Sequence, residues 1–85
     1  MTEIKVSLSR PEALDSRGAA LLAQFCSRFQ SNITIIKDEY AVDGKSVLGI
    51  ITVPWHEGEE YLFKIEGKDE ETAAQEIKSF FMENF

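Results

Sequence analysis

A chain of 85 residues, 44% of them hydrophobic and 28% charged, is predicted to fold as a single domain over residues 1–85 around one modest core. The formal net charge of -6 disfavours direct binding to nucleic acid, because phosphate backbones are bound by clustered lysines and arginines. A single cysteine, a start unlike a signal peptide and no apolar stretch of membrane-spanning length exclude an internal disulfide and predict a cytoplasmic protein that does not enter the membrane.

The first third of the chain predicts a strand followed by a helix. Apolar and polar residues alternate over residues 4–8, which is the two-residue period of a strand with one buried face. Four apolar residues then fall at i, i+3, i+4 and i+7: Leu22, Phe25, Cys26 and Phe29. They predict a helix that begins near Asp15 or Ser16 and buries this side, with Cys26 as a core side chain.

The middle of the chain predicts a hairpin and then an ambiguous apolar segment. Residues 32–37 are rich in β-branched side chains and are followed by a second extended run at residues 40–42. Gly44 breaks that run. The apolar residues 47–51 fit either a buried strand or a short helix, and periodicity alone leaves both open.

The last third predicts a loop, a strand and a helix. Residues 61–65 alternate between apolar and polar, and Asp69 is placed to cap a final helix. The apolar residues at helical spacing after it are Ala73, Ala74, Ile77, Phe80 and Phe81. Phe85 is predicted either to close the packing or to hang free. The order β-α-β-β-α-β-α predicts an α+β sandwich of two layers, with helices on one face of a mainly antiparallel sheet.

The start of the first predicted helix has a recognisable pattern. Residues 14–20 read Leu-Asp-Ser-Arg-Gly-Ala-Ala, and this segment resembles the HPr phosphocarriers of the bacterial phosphoenolpyruvate-dependent sugar phosphotransferase system. That family reads apolar-His-Ala-Arg-Pro-Ala here, where the histidine caps the helix and carries the phosphoryl group. The resemblance implies that Asp15 replaces the histidine, that Arg17 matches the arginine that steadies the phosphate, and that Gly18 replaces the proline.

A second segment resembles the regulatory region of the same family. Residues 45–53 read Lys-Ser-Val-Leu-Gly-Ile-Ile-Thr-Val, and in the family a serine at this place precedes a short helix and is phosphorylated by a dedicated kinase. The resemblance implies Ser46 as a phosphorylation site. The paralogue Crh of Gram-positive bacteria has also lost the histidine and keeps the serine, with glutamine where this chain has Asp15. The family fold is an open-faced sandwich in which three helices cover one face of a four-stranded antiparallel sheet.

The chemistry of Asp15 argues against phosphoryl transfer. A carboxylate lacks the imidazole nitrogen that attacks phosphorus, and an acyl phosphate generally needs a divalent cation and a nearby lysine. We therefore interpret Asp15 as a helix N-cap. His56, the only histidine, is interpreted as a solvated loop residue. The chain is predicted not to be an enzyme and to hold no metal or cofactor. Recovering the phosphocarrier would require at least Asp15→His, and Gly18→Pro is a candidate second change to recover the helix start.

The most specific functional prediction from the sequence concerns Ser46. A phosphate at a helix start meets unpaired backbone N–H groups, and Ser46 is also predicted to cap that helix. Further residues are predicted to bind the phosphate or a partner: Arg17, Lys45, Val47, Leu48 and Ile51. Of the apolar ones, one or two are expected to stay exposed as a docking spot while Ile50 or Leu48 points inward.

The leading functional prediction is a regulatory protein that is phosphorylated on Ser46 by an HPr-type kinase and binds a transcriptional regulator in carbon catabolite control. One alternative is a constitutive binding module in which Asp15 supplies a permanent negative charge. Another is an atypical phosphocarrier that uses Asp15 or His56. A nucleic-acid-binding α+β domain is disfavoured, because the chain is acidic and lacks an aromatic ribonucleoprotein motif.

Overall fold

The computed structural model describes residues 1–85, and its elements follow the predicted order with one added 3₁₀ turn. The strands are β1 (Thr2–Ser7), β2 (Asn32–Lys37), β3 (Tyr40–Asp43) and β4 (Glu60–Glu66). The helices are α1 (Ser16–Cys26), α2 (Val47–Thr52) and α3 (Glu70–Asn84), and the 3₁₀ turn is Pro11–Ala13. The ambiguous apolar run at residues 47–51 is therefore helical.

The four strands form one antiparallel sheet in the order β1-β4-β2-β3. The register aligns Ile4 with Phe63, Phe63 with Ile35, and Ile35 with Val42. One row of apolar side chains thus crosses the whole sheet, because strands with a two-residue period present alternate residues to the same face. The three helices cover this face, which confirms the predicted open-faced sandwich.

The core lies between the sheet and the helices. Phe81 of α3 meets Phe63 of β4 edge-on, with ring centroids 5.8 Å apart. Cys26 of α1 is fully buried, and this burial raises the pKa of its thiol to about 12. The thiol therefore stays protonated at neutral pH and packs as a small apolar group, as predicted. Phe85 is also buried, with its ring centroid 5.2 Å from that of Phe81.

The helix α1 ends one turn earlier than the apolar spacing predicts. Ser27 caps its C-terminus, and tighter hydrogen bonds follow, from Arg28 N–H to the Phe25 carbonyl and from Phe29 N–H to the Cys26 carbonyl. The prediction that Phe29 belongs to the helix is wrong. Its side chain is nevertheless buried, because the turn folds it back onto the core.

Asp69 stands at the N-cap position of α3, but its side chain does not cap that helix. The carboxylate instead accepts hydrogen bonds from the Ser31 hydroxyl and from the backbone N–H groups of Gln30 (2.9 Å) and Ser31 (3.0 Å). These hydrogen bonds, that of the Ser31 hydroxyl first, lower the pKa of Asp69. Asp69 thus ties the turn between α1 and β2 to the start of α3.

Glu70 makes the attachment of β1 to α3 depend on pH. Its carboxylate accepts hydrogen bonds from the Thr2 hydroxyl (2.7 Å) and the Gly67 N–H (3.1 Å) and pairs with the Met1 amino group (2.9 Å). The Thr2 hydrogen bond and the Met1 amino group are the main reasons why the pKa of Glu70 falls from 4.5 to about 2. The folded-state pKa is the lower one, so this stabilisation is present above pH 4.5 and is lost as the pH falls towards 2.

We therefore expect the free energy of unfolding to fall between about pH 6 and about pH 3 by less in Glu70→Gln than in the wild type. Urea titrations at the two pH values measure both differences. An equal fall in the two proteins would show that Glu70 does not carry the effect.

Candidate functional site

The start of α1 is built around Asp15. Its backbone is extended, and its Oδ1 accepts a hydrogen bond from the Gly18 N–H at 2.9 Å. The Asp15 carbonyl accepts the first helical hydrogen bond, from the Ala19 N–H at 2.8 Å. This geometry confirms the predicted N-cap. Arg17 follows on the first turn, is exposed, and takes part in neither of the two ion pairs of the chain.

Gly18 is held against the preceding 3₁₀ turn. A Cβ atom at residue 18 would collide with the carbonyl oxygen of Ala13 and would lie 3.2 Å from the ring of Phe85. The Gly18 N–H is also the donor to the Asp15 cap. A proline here would add atoms where the Ala13 carbonyl lies and would remove that donor. The expectation that Gly18→Pro rebuilds the helix start is therefore wrong for this backbone.

The start of α2 is capped by Ser46. Its backbone is extended, and its Oγ accepts a hydrogen bond from the Gly49 N–H at 3.1 Å. The serine is half-buried, and its own N–H donates to the Asp43 carbonyl at 3.0 Å. The predicted capping role is confirmed, and the hydroxyl oxygen lies at the N-terminus of a short helix whose first N–H groups lack helical partners.

Lys45 lies beside Ser46, but its ammonium group has a partner elsewhere. Its Nζ donates to the carbonyl oxygen of Phe29 at 2.8 Å, in the turn after α1. Its backbone N–H donates to Oδ1 of Asp43 at 2.9 Å. Lys45 thus joins the turn before α2 to the end of α1, and the structure does not place its charge free at the serine.

The exposed apolar residues of α2 lie close to Ser46 in sequence. Leu48 is 78% exposed and Ile51 is 49% exposed, whereas Ile50 is fully buried. Of the two residues predicted to point inward, it is Ile50 that does so. Val47 is partly buried and packs against the core, so it contributes less to the docking spot than Leu48 and Ile51. These two side chains form what we term the α2 patch.

The loop between α2 and β4 carries His56 but is organised by its neighbours. The Tyr61 hydroxyl accepts from the His56 N–H at 2.7 Å and donates to the Pro54 carbonyl at 3.0 Å. Trp55 donates its indole N–H to the Ile50 carbonyl at 2.8 Å, which fixes the end of α2. The imidazole of His56 is exposed, as predicted. The Trp55 contact was not predicted from the sequence, although an indole N–H near a helix end usually finds a carbonyl partner.

Two further features bear on the chemistry open to the chain. No group of three or more histidine, cysteine, aspartate or glutamate side chains is arranged to hold a metal ion. None of the helices is both long and apolar enough to cross a membrane. The candidate functional residues lie at two capped helix starts, at Asp15 for α1 and at Ser46 for α2, and these two helices pack against each other.

Comparisons with known proteins agree with this architecture. The family model described as "PTS HPr component phosphorylation site" matches residues 2–83. The phosphocarrier protein HPr of Xylella fastidiosa strain Temecula1 is 32% identical over 85 residues, covering 100% of this chain and 96% of the relative. The HPr-like protein Crh of Bacillus subtilis is 30% identical over 83 residues, covering 98% of each chain.

The fold is also that of a solved HPr structure. The crystal structure of HPr-C-His from Thermoanaerobacter tengcongensis superimposes with a TM-score of 0.90 at 32% identity, covering 100% of this chain and 96% of that chain. A family match over almost every residue, relatives of 30% and 32% identity and the same arrangement of three helices on a four-stranded sheet all lead to one assignment. This chain belongs to the HPr family of the phosphotransferase system.

Proposed function

We propose that this chain is a regulatory binding protein of the HPr family, without histidine phosphocarrier activity, that works in the cytoplasm. An HPr-type kinase phosphorylates Ser46, and the modified surface then binds a transcriptional regulator in carbon catabolite control. The observation that carries this proposal is the start of α2, where the Ser46 hydroxyl at the helix cap adjoins the exposed α2 patch. The similarity to a relative named HPr-like protein Crh supports the same function.

The phosphocarrier function is disfavoured by what stands at the start of α1. Asp15 holds the cap hydrogen bond from Gly18, so an acyl phosphate on its carboxylate would compete with that bond. The chain offers neither a lysine that pairs with Asp15 nor a cluster suited to a cation. His56 lies in a different loop, away from the segment that carries Arg17.

A phosphate on Ser46 fits the start of α2 without refolding. The Gly49 N–H already donates to Oγ at 3.1 Å, and the free N–H groups of the first turn favour a negative charge. Phosphorylation adds about two negative charges at neutral pH. The Lys45 ammonium is bound to the Phe29 carbonyl, just beyond the end of α1, whereas Arg17 lies on the first turn of that helix. We therefore assign the binding of the added charge to basic groups of the regulator.

The α2 patch supplies the apolar part of the same surface. Leu48 and Ile51 are the exposed large hydrophobic side chains of the short helix, at 78% and 49% exposure. Exposed apolar patches bordered by polar residues mark interaction sites, and a few buried anchors carry most of the binding energy of an interface. A regulator that buries Leu48 thus contacts the phosphate and the α2 patch at the same time.

Kinase labelling tests the proposal. Incubation with HPr-type kinase and ATP is expected to add one phosphoryl group to the wild type, as measured by intact mass, and peptide mapping is expected to place it on Ser46. Ser46→Ala is expected to remain unlabelled and folded, since loss of the cap removes only about 1 kcal/mol of stability. Ser79→Ala, at an exposed serine of α3, is the matched control and should be labelled like the wild type.

Failure of the labelling would contradict the regulatory proposal. If the wild type gains no mass, or gains it at a residue other than Ser46, the kinase-controlled switch is excluded. The exposed carboxylate of Asp15 then favours the second candidate, a constitutive binding module whose negative charge is permanent. That module would bind its regulator equally well before and after incubation with kinase.

A further inference from the structure

The helix α2, which presents Ser46 and the α2 patch, is too short to hold its shape alone. It spans only Val47–Thr52, and helices of fewer than about 12 residues are marginal in water without tertiary contacts. Within the helix only Ile50 is fully buried. The positions of Leu48 and Ile51 therefore depend on how the two ends of α2 are held.

The two ends of α2 are held in different ways. At the start the hydrogen bond is local, because the Ser46 hydroxyl oxygen accepts from the Gly49 N–H within the first turn. At the end, the Ile50 carbonyl oxygen accepts from the Val53 N–H at 3.2 Å and from the indole N–H of Trp55 at 2.8 Å. The shorter of these two bonds thus comes from a side chain that lies outside the helix.

The indole ring of Trp55 packs against the aromatic core. Its centroid lies 4.4 Å from that of Tyr61 on β4 and 6.1 Å from that of Phe81 on α3. The Tyr61 hydroxyl donates to the Pro54 carbonyl at 3.0 Å, and this bond holds the loop that carries the indole. The Trp55 hydrogen bond therefore ties the last turn of α2 to the sheet and to α3.

We infer that Trp55 is a positioning residue for the recognition of Ser46 by the kinase. Its indole N–H holds the last turn of α2, so that the α2 patch stands at a fixed place beside the Ser46 hydroxyl. Indole has one N–H donor, and here the Ile50 carbonyl takes it. The donor is thus not available to a docked protein, and its effect passes through α2. This inference rests on the proposed function and adds to it a residue beyond the helix.

Loss of the Trp55 hydrogen bond is expected to weaken docking without slowing phosphoryl transfer. The Ser46 cap lies at the other end of α2 and does not involve Trp55, so the hydroxyl is presented as before. The α2 patch, in contrast, has to be ordered again each time the kinase docks. One net hydrogen bond changes an equilibrium by roughly threefold to tenfold. We therefore expect the KM for this chain to rise by about that factor with kcat unchanged.

Replacing the indole N–H alone tests the inference. Benzothienylalanine incorporated at residue 55 keeps the shape of the ring but has sulfur in place of the N–H, whereas a ring-fluorinated tryptophan keeps the N–H. With HPr-type kinase and ATP, the KM is expected to rise for the first protein and to stay at the wild-type value for the second. Thr2→Val removes a side-chain hydrogen bond between β1 and α3. It is the control for a lost tether elsewhere and should keep the wild-type KM.

Amide hydrogen exchange gives a second measurement that needs no kinase. The Val53 N–H shares the Ile50 carbonyl with Trp55, so it reports on the last turn of α2. We expect it to exchange roughly threefold to tenfold faster in the benzothienylalanine protein than in the wild type. Circular dichroism at the assay temperature verifies that each protein is folded, so a raised KM does not come from unfolded chain.

Three results would overturn the role of Trp55. The first is an unchanged KM in the benzothienylalanine protein while the wild type is labelled on Ser46, and the second is an unchanged exchange rate of the Val53 N–H. Both leave the proposed function intact. The third is a wild type that the kinase does not label at all, which overturns the proposed function together with this inference. Labelling of the wild type therefore distinguishes the two failures.

Discussion

Gly18→Pro is expected to destabilise this domain strongly, although the sequence resemblance aligns Gly18 with a proline of the family. The reason is the Ala13 carbonyl oxygen, which occupies the position of a Cβ at residue 18, and the Gly18 N–H, which donates to Asp15. Overpacking against a fixed backbone costs about 1–3 kcal/mol or more, and loss of the cap hydrogen bond adds about 1 kcal/mol. Small domains have only ~5–15 kcal/mol in total, so a substantial part of the stability is lost.

An alanine at residue 18 separates the effect of the steric collision with Ala13 from the effect of losing the Gly18 N–H donor. Gly18→Ala keeps the N–H and adds only the Cβ, so we expect a loss of about 2 kcal/mol and a fall in melting temperature of roughly 8–16 °C. Gly58→Ala is the comparison variant, because Gly58 has φ of +84° but open space around its Cβ position. Its loss, about 1–2 kcal/mol, comes from backbone strain without any collision. Thermal unfolding followed by circular dichroism measures all three. A Gly18→Pro variant as stable as the wild type would show that the 3₁₀ turn moves aside freely.

Phosphoenolpyruvate and the general enzyme of the phosphotransferase system are expected to leave this chain unlabelled. The sequence resemblance predicts that Asp15 takes the place of the family's histidine, and its carboxylate is bound to the Gly18 N–H. The single variant Asp15→His, with Gly18 retained, is expected to gain acid-labile label, since the retained glycine preserves the contact with Ala13. Intact-mass measurement before and after acid treatment detects the transfer.

Label on the wild type would contradict this expectation, and a second variant identifies its origin. His56→Ala removes the only histidine of the chain, so label that disappears in this variant would have resided on the loop imidazole. Label that survives it would point to Asp15. Either outcome would show that the chain acts as a phosphocarrier.

The strands and helices could be predicted because their patterns are local. The two-residue period of β4 and the capping residues Asp15 and Ser46 depend on neighbours within a few positions, and each keeps that role in the structure. The segment at residues 47–51 was ambiguous, because both of its candidate forms are apolar. It is a helix since Ser46 caps it and Ile50 alone enters the core completely.

The contacts that the sequence could not predict join residues far apart in the chain. Lys45 donates to the carbonyl of Phe29, and the Asp69 carboxylate accepts from Ser31 across the fold. The close approach of Ala13 to Gly18 depends on where the 3₁₀ turn settles against the C-terminal end of α3. Residue types at these positions suit many partners, so only the tertiary structure selects one.

Titration of a catabolite-control regulator with this chain tests the central claim most directly. Isothermal calorimetry would compare the unmodified wild type, the Ser46-phosphorylated wild type and Ser46→Ala after incubation with kinase. We expect the phosphorylated chain to bind about tenfold or more tightly than the other two, because new charge-assisted hydrogen bonds are worth about 1.5–3 kcal/mol. Circular dichroism of the three proteins should be the same, since the phosphate joins a helix start that is already formed. Equal affinities for all three proteins would contradict the regulatory account.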